Sequence, residues 1–299
     1  MNVLCIFNPK AGGGKASKQL SHIKQLFIKY QINAEIVQTQ YPHHGTEILA
    51  QKNINNYDAL IAAGGDGSFF DLLNGYMKYH YNTPVPLGII PVGTGNSLSR
   101  DVINNLKNNN LENFVKLIKL RHSKTFDIGK ITTSQQVYYF VNMMGFGFTT
   151  DVTLTANKYK FFKSAAYIIG VLLNTLRLKT YPLEIEIDKQ KQQVYNTFVT
   201  VSNSKYTGND FLIAPHAKVN DGLLDVVIVN KISRLNLLKT FPKIFDGSYI
   251  NSPYVNYQQV KKINFYSEQH KIISPDGEIT GQLPVKIEVL PRAVSILSE

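Results

Sequence analysis

Residues 64–68 read Gly-Gly-Asp-Gly-Ser and follow directly on the apolar run Ala59-Leu60-Ile61-Ala62-Ala63. A short apolar run ending in two glycines reads as a buried parallel strand emptying into a tight loop. With no Cβ in the way, the main-chain N–H groups of Gly64, Gly65 and Gly67 can approach a phosphate closely. Asp66 repels phosphate by itself. Its presence is explained by a divalent cation bridging carboxylate and phosphate oxygens, or by an Asx turn that holds the loop. The next residues, from Phe69 to Leu73, read as the opening of a helix whose N-terminus faces the same spot. Two other strand-like runs end alike: Val3–Phe7 opens into Asn8-Pro9-Lys10-Ala11-Gly12-Gly13-Gly14-Lys15, and Leu87–Ile90 into Pro91-Val92-Gly93-Thr94-Gly95-Asn96. Three such strand ends collect a phosphate-bearing ligand at the carboxyl edge of an open sheet. The first loop is not a Walker A motif, because Pro9 and Ala16 stand where Gly and Ser or Thr are required. Thr94 could donate to a phosphate oxygen or cap the helix that follows.

Phosphoryl transfer also needs a proton acceptor for the attacking hydroxyl. Ser274-Pro275-Asp276-Gly277-Glu278 sets two carboxylates about a glycine turn, which on local grounds is equally an ordinary hairpin. If both carboxylates face one another, repulsion raises the pKa of one and makes it a better base. Asn220-Asp221-Gly222-Leu223 offers one carboxylate with neighbouring carbonyls, suited to a hard cation or simply to a turn. The seven histidines have no zinc spacing, no Gly-x-Ser-x-Gly elbow occurs, and the single cysteine, Cys5, sits inside a strand-like run.

Positioning these groups takes more than one layer. Up to about residue 125, strands at 3–7, 34–39, 59–63 and 87–90 alternate with helices at about 16–30, 45–54, 69–80 and 96–120, the pattern of an α/β parallel sheet. Beyond Phe126 strands dominate, at 136–141, 183–187, 197–201, 224–229, 262–266 and 285–289, with a helix near Ser233 to Phe245. Alternation at 183–187 and 285–289 predicts half-exposed antiparallel strands, and 188–193 a polar hairpin connection. The 299 residues carry a formal net charge of +11. No zinc-finger spacing, RNA-recognition consensus or basic tail accompanies that charge, so nucleic acid is not the expected partner. Lysines interleaved with aromatics at Lys158-Tyr159-Lys160-Phe161-Phe162-Lys163, followed by an apolar run to Arg177 and Lys179, suit either an anionic membrane surface or an ordinary amphipathic helix. One cysteine and the lack of any apolar run near 18 residues predict a cytoplasmic protein with at most transient, peripheral membrane association.

The loops, with Arg100, Asn142…Gly145-Phe146-Gly147, Gly208-Asn209…Ala214-Pro215, Asn220-Asp221-Gly222-Leu223 and Asp276-Gly277-Glu278, occur in an order that resembles the diacylglycerol kinase and sphingosine kinase family of lipid kinases over nearly the whole chain. Ala11, Ser68 and Gly95 depart mildly from its usual pattern, where Ser, Thr and Ala are common; Ser97 and Ser99 likewise replace apolar residues. The resemblance implies an NAD-kinase-like α/β nucleotide-binding domain over 1–125, with 291–299 returning to it, and an all-β sandwich over 126–290. It implies ATP and Mg2+ as cofactors and a lipid acceptor at an anionic membrane surface; a homodimer is compatible with it. By resemblance, Asn8, Gly12, Thr39, Gly64, Gly65, Asp66, Gly67, Ser68, Gly93, Thr94 and Asn96 hold Mg–ATP, with Asp66 toward the metal. Glu278 falls at the family's proton acceptor, with Asp276 and Asp66 sharing the catalytic work. Asp221, with the main-chain oxygens of Lys218 and Leu223, falls at a structural Mg2+ site. The alternatives are an NAD kinase, which shares the Gly-Gly-Asp-Gly loop, and a catalytically silent, nucleotide-dependent membrane regulator.

Overall fold

A computed structural model describes residues 1–103, 110–159, 165–208 and 211–299. Contacts divide the chain into two compact units, Met1–Phe126 with Arg292–Glu299, and Asp127–Pro291.

In the first unit the apolar runs become four parallel strands, β1 (Asn2–Phe7), β2 (Asn33–Gln38), β3 (Ala59–Gly64) and β4 (Leu87–Pro91). They lie in the order β2-β1-β3-β4, with Val3 opposite Ala34 and Ala59, and Ala62 opposite Ile89. The chain's last strand returns beside β4, where Ile296 faces Leu87. β3 is buried along its whole length, as a central parallel strand covered on both faces must be. The covering helices are α1 (Leu20–Lys29), α2 (His44–Gln51), α3 (Asp66–Tyr79), α4 (Ser99–Val102) and α5 (Leu111–Leu120). α1 buries Ile23, Leu26 and Phe27, and α5 buries Phe114, Val115, Leu117 and Ile118. Both sets follow the helical period, and Ile23, Leu26, Phe27, Val115 and Ile118 share a core with Phe7, Ile61, Ile90 and Leu297.

Three helix expectations need correction. The helix expected from about 16 begins at Leu20, because Gly12, Gly13 and Gly14 all have positive φ and 11–19 forms tighter 3-10 turns. The helix expected from 69 begins at Asp66, with Gly65 as its cap. Gly67 and Ser68 therefore belong to its first turn rather than to a loop. The helix expected over 96–120 is not continuous: α4 ends at Val102 with Ile103 extended, and α5 starts at Leu111 behind the Asn110 cap. Residues 104–109 of that expectation lie outside the described residues, as do Lys160–Lys163 of the basic aromatic stretch and Asn209.

The second unit is antiparallel. Its strands are β5 (Ser123–Thr132), β6 (Val137–Phe140), β7 (Met143–Gly147), β8 (Tyr181–Ile187), β9 (Gln190–Ser202), β10 (Tyr206–Thr207), β11 (Phe211–Leu212), β12 (Leu224–Asn230), β13 (Val255–Val260), β14 (Lys262–Tyr266), β15 (Ile272–Pro275), β16 (Thr280–Gln282) and β17 (Val285–Leu297). The long β9 organises the layer, pairing β8 through residues 190–196 and both β7 and β12 through its second half. Burial alternates along β8 and along the start of β17, the mark of strands with one wet face. The β8–β9 turn is two residues long with Asp188 and Lys189 both at positive φ, the primed geometry that matches strand twist. Inside, Phe146 meets Phe265 edge to face at 5.1 Å within a core that includes Ile185, Val201, Val226 and Ile287. Two helices, α6 (Phe148–Lys158) and α7 (Ala165–Leu176), intervene between β7 and β8. A third, α8 (Arg234–Thr240), is capped by Ser233 and passes into a 3-10 turn at Phe241–Ile244 that accommodates Pro242.

Phe146→Ala deletes a fully buried ring from this core and should destabilise the protein by about 3–5 kcal/mol in urea unfolding. A loss under about 1 kcal/mol would mean the core relaxes around the missing ring.

Candidate active site

The carboxyl ends of β1, β3 and β4 are brought together by contacts that only glycine permits. A Cβ on Gly93 would stand 2.5 Å from the Cα of Gly65, and one on Gly12 would stand 2.9 Å from the carbonyl oxygen of Val92. The carbonyl of Gly64 accepts from the N–H groups of both Val92 and Gly93, at 2.9 and 3.1 Å. Asn8 leaves β1 with its N–H on the carbonyl of Ala63 and its side-chain amide on Ser68 Oγ at 3.2 Å. Thr39 extends the β1–β2 pairing by one residue through its N–H to Phe7. The structure thus gathers Asn8, Gly12, Thr39, the 64–68 segment and Gly93–Asn96 at one sheet edge of the first unit.

Asp66 is the brace of this edge. Its Oδ2 accepts from Ser97 N–H at 3.1 Å and from Ser97 Oγ at 3.0 Å, its Oδ1 from Leu98 N–H at 3.4 Å, and its own N–H donates to Gly95. Burial pushes its carboxyl up from the ordinary aspartate value, against the lowering effect of the donors from Ser97 and Leu98. Of the two explanations for this residue, the loop-holding one is displayed directly; a metal contact would have to use the lone pairs left over. Thr94 is exposed and caps nothing, since the nearest helix begins at Ser99. Asn96 donates its side-chain amide to Gly93 at 3.1 Å, and its buried Oδ1 has no partner. An orphaned oxygen at this edge suits a cation, or a donor group of a bound nucleotide.

In the second unit, β15 pairs with β7, with Ser274 opposite Gly145. The chain then turns at Asp276 (φ 47°) and Gly277 (φ 85°), and Glu278 N–H closes the turn on Pro275 at 2.8 Å. This is the Asp-Gly primed hairpin. The Asp276 carboxylate is buried and accepts main-chain N–H bonds from Val141 at 2.9 Å, Asn142 at 2.9 Å and Met143 at 3.0 Å. In this arrangement Asp276 acts as a bracket for the turn, tying it to the 141–143 corner. Asn142 and Asn203 extend the bracket. The Asn142 carbonyl accepts from the N–H groups of Asn203 and Ser204, and Asn203 donates its amide to the carbonyls of Asp127 and Val141 at 2.8 and 2.9 Å. Asn142 stood in a quoted motif without an assigned role, and nothing in the sequence around Asn203 marked it.

Asp221 forms an Asx turn, accepting from Leu223 N–H at 3.1 Å, while Gly222 N–H donates to Asp127 at 2.6 Å. A carboxylate beside the carbonyls of Lys218 and Leu223 has the right chemistry for a hard cation. Among the described residues no group of three or more His, Cys, Asp or Glu side chains could hold a metal, so such an ion would depend on the main chain.

The second unit also contains an apolar cavity of about 120 Å³, walled by Met143, Val171, Phe198, Leu237 and Phe241. Its lining includes Thr149, Ser274 and Gly277, so it reaches the hairpin that carries Glu278. No helix among the described residues is long and apolar enough to cross a membrane.

Gly93→Ala should force the ends of β3 and β4 apart, since the new Cβ meets main chain that cannot swing away. Nucleotide affinity, measured by displacement of a fluorescent analogue, should fall roughly tenfold or more; unchanged affinity would mean the glycine contact does not shape the site.

Residues 2–131 match the diacylglycerol kinase catalytic domain, and residues 142–298 match the YegS C-terminal NAD kinase beta sandwich-like domain. The chain is 27% identical to a diacylglycerol kinase of Mycobacterium tuberculosis, covering 99% of this chain and 94% of that one. It is 25% identical to sphingosine kinase 1 of Arabidopsis thaliana, covering 93% of this chain and 68% of the relative. A solved structure of a candidate diacylglycerol kinase from Bacillus anthracis superposes with a TM-score of 0.81 at 26% identity, covering 100% of this chain and 95% of that one. With both domain types present in order and the fold shared across full-length relatives, this chain belongs to the diacylglycerol kinase family of lipid kinases, phosphotransferases that act on an alcohol group.

Proposed function

We propose that the protein transfers the γ-phosphate of Mg–ATP to a hydroxyl of diacylglycerol or a lipid of similar build. The observation that carries this reading is the apolar cavity that includes Gly277 in its lining, one residue from Glu278. A cavity walled by Val171, Phe198 and Phe241 offers an acyl chain the burial it seeks, and offers the charged phosphates of NAD only desolvation.

In this reading the first unit holds the donor. The amides and cleared space at Gly12, Gly64, Gly65 and Gly93 cradle phosphates, with Asn8, Thr39, Gly67, Ser68 and Thr94 at the same edge. Mg2+ supplies charge neutralisation on the transferring phosphoryl group, and Asp66 with the orphaned Asn96 Oδ1 would hold it. The second unit holds the acceptor. Glu278 takes the proton of the attacking hydroxyl as its oxygen bonds to the γ-phosphorus and the bond to the ADP oxygen breaks. Asp276 positions that turn. A structural Mg2+ at Asp221 would lock the 218–223 turn without entering the chemistry.

Glu278→Gln should lower kcat by about 10²–10⁴-fold while leaving ATP affinity intact; substantial turnover in this variant would remove Glu278 from the role. Val171→Phe should fill the cavity and raise the KM for a long-chain diacylglycerol roughly tenfold, with the KM for ATP unchanged. An equal effect on both substrates would place the acyl chain elsewhere.

A further inference from the structure

The cavity of the second unit is apolar but not uniformly so. Its lining includes Thr149, Thr153, Tyr249 and Ser274 and, among the described residues, no charged side chain. A hydroxyl carries one proton and two lone pairs, so the use of each proton can be followed. Thr149 gives its proton to the carbonyl of Phe146 at 3.3 Å, Thr153 to that of Thr149 at 3.0 Å, and Tyr249 to that of Ile213. Those three protons are committed to the wall.

Ser274 is different. Its Oγ lies 3.2 Å from the carbonyl oxygen of Gly145 and 3.0 Å from Thr150 Oγ1, which reaches the same carbonyl at 3.1 Å. Three contacts close this triangle, yet the two hydroxyls have only two protons between them. Thr150 can serve Gly145 unaided, which leaves the Ser274 proton to rest on Thr150 or to turn away. Both residues are buried, beyond the reach of bulk water. The Ser274 proton is therefore available to a guest in the cavity, and its departure leaves no group of the wall without a partner.

The place of Ser274 in the chain names the group it would meet. It stands on β15, just before the turn of Asp276 and Gly277 that carries Glu278. In the lipid-kinase reading Glu278 accepts from the attacking hydroxyl, so a nearby donor is left for an acceptor group a few bonds away. A glyceride has one there, the carbonyl of the neighbouring ester. An ester carbonyl buried in an apolar cavity without a donor is unfavourable, and the Ser274 proton offsets that penalty. A sphingoid base has no ester and brings an ammonium, for which this lining holds no charged partner.

We infer that Ser274 binds the acceptor by donating its proton to an ester carbonyl, so that the cavity prefers an ester-linked glyceride to its ether-linked counterpart. The inference rests on the lipid-kinase reading and deepens it, naming the group of the acceptor that is recognised. Its magnitude follows from the triangle. With an ether in the cavity the Ser274 proton returns to Thr150, nothing buried is left unpaired, and the large discrimination of a rigid polar site does not arise. What is lost is the net contribution of one neutral hydrogen bond, about three- to tenfold in affinity.

The test compares dioctanoylglycerol with dioctylglycerol, its ether of equal chain length without the carbonyls, in the same detergent micelles. The wild type should show a KM about three- to tenfold lower for the ester. Ser274→Ala should bring the two KM values together. Thr150→Val makes Gly145 depend on the Ser274 proton and should shrink the preference, although Thr150 is not in the cavity lining; it serves if the alanine variant fails to fold. A wild type without preference, or a preference that survives in either variant, would overturn the inference. So would an equal loss on both lipids with their ratio intact, which would make Ser274 a structural residue only. Displacement of a fluorescent diacylglycerol by the same two lipids repeats the comparison without turnover. Stronger displacement by the ester in a protein that phosphorylates no lipid would defeat the functional reading and leave the anchor standing. Phosphorylation of both glycerols at one KM would defeat the anchor and leave the functional reading standing.

Discussion

The Asp276 carboxylate, buried and bound by three consecutive main-chain N–H groups at 141–143, is the constraint on which the proposed acceptor site depends. It pins the β15–β16 hairpin to the start of β7, and the turn it pins carries Gly277 in the cavity wall and Glu278 beside it. Removing the carboxylate would leave three buried donors without an acceptor, each carrying a desolvation penalty of about 1–3 kcal/mol. In the proposed reading this rigidity serves Glu278, since a proton acceptor works only from a fixed place within hydrogen-bond reach of the hydroxyl.

The donor side reaches the same end by different means. There, rigidity comes from the absence of side chains: Gly12, Gly65 and Gly93 let main chain meet main chain, and Asp66 then ties helix α3 to the 97–98 segment. Phosphate needs N–H groups and space, so glycine contacts suit it. A lipid needs apolar volume, and that comes from helices packed over an antiparallel sheet. In the proposed reading the two units divide the problem by the polarity of their ligands, and relatives named kinases of sphingosine and diacylglycerol align over 93% and 99% of this chain.

Much of this was legible in the sequence because its causes are local. Apolar runs ending in glycine gave the parallel strands, and strict alternation at 183–187 gave a half-exposed antiparallel strand. What escaped had non-local causes. The start of α3 at Asp66 depends on Gly65 being free to adopt an extended cap against the 93–95 segment, a contact between two strand ends. The break between α4 and α5 was hidden by a continuous polar-apolar texture. The bracket that Asp276 makes was hidden because its main-chain partners lie some 135 residues earlier. The cavity was invisible for the same reason: Met143, Phe198 and Leu237 belong to three separate elements, and each looks like ordinary core in its own segment.

The central claim is that the hydroxyl of a lipid receives the phosphate. The direct measurement is transfer of label from γ-labelled ATP, with Mg2+, to a panel of lipids in anionic mixed micelles, with NAD as a parallel acceptor. Label entering diacylglycerol or a lipid of like build is the predicted result. Label entering NAD alone, or no lipid at all while ATP still binds, would contradict it.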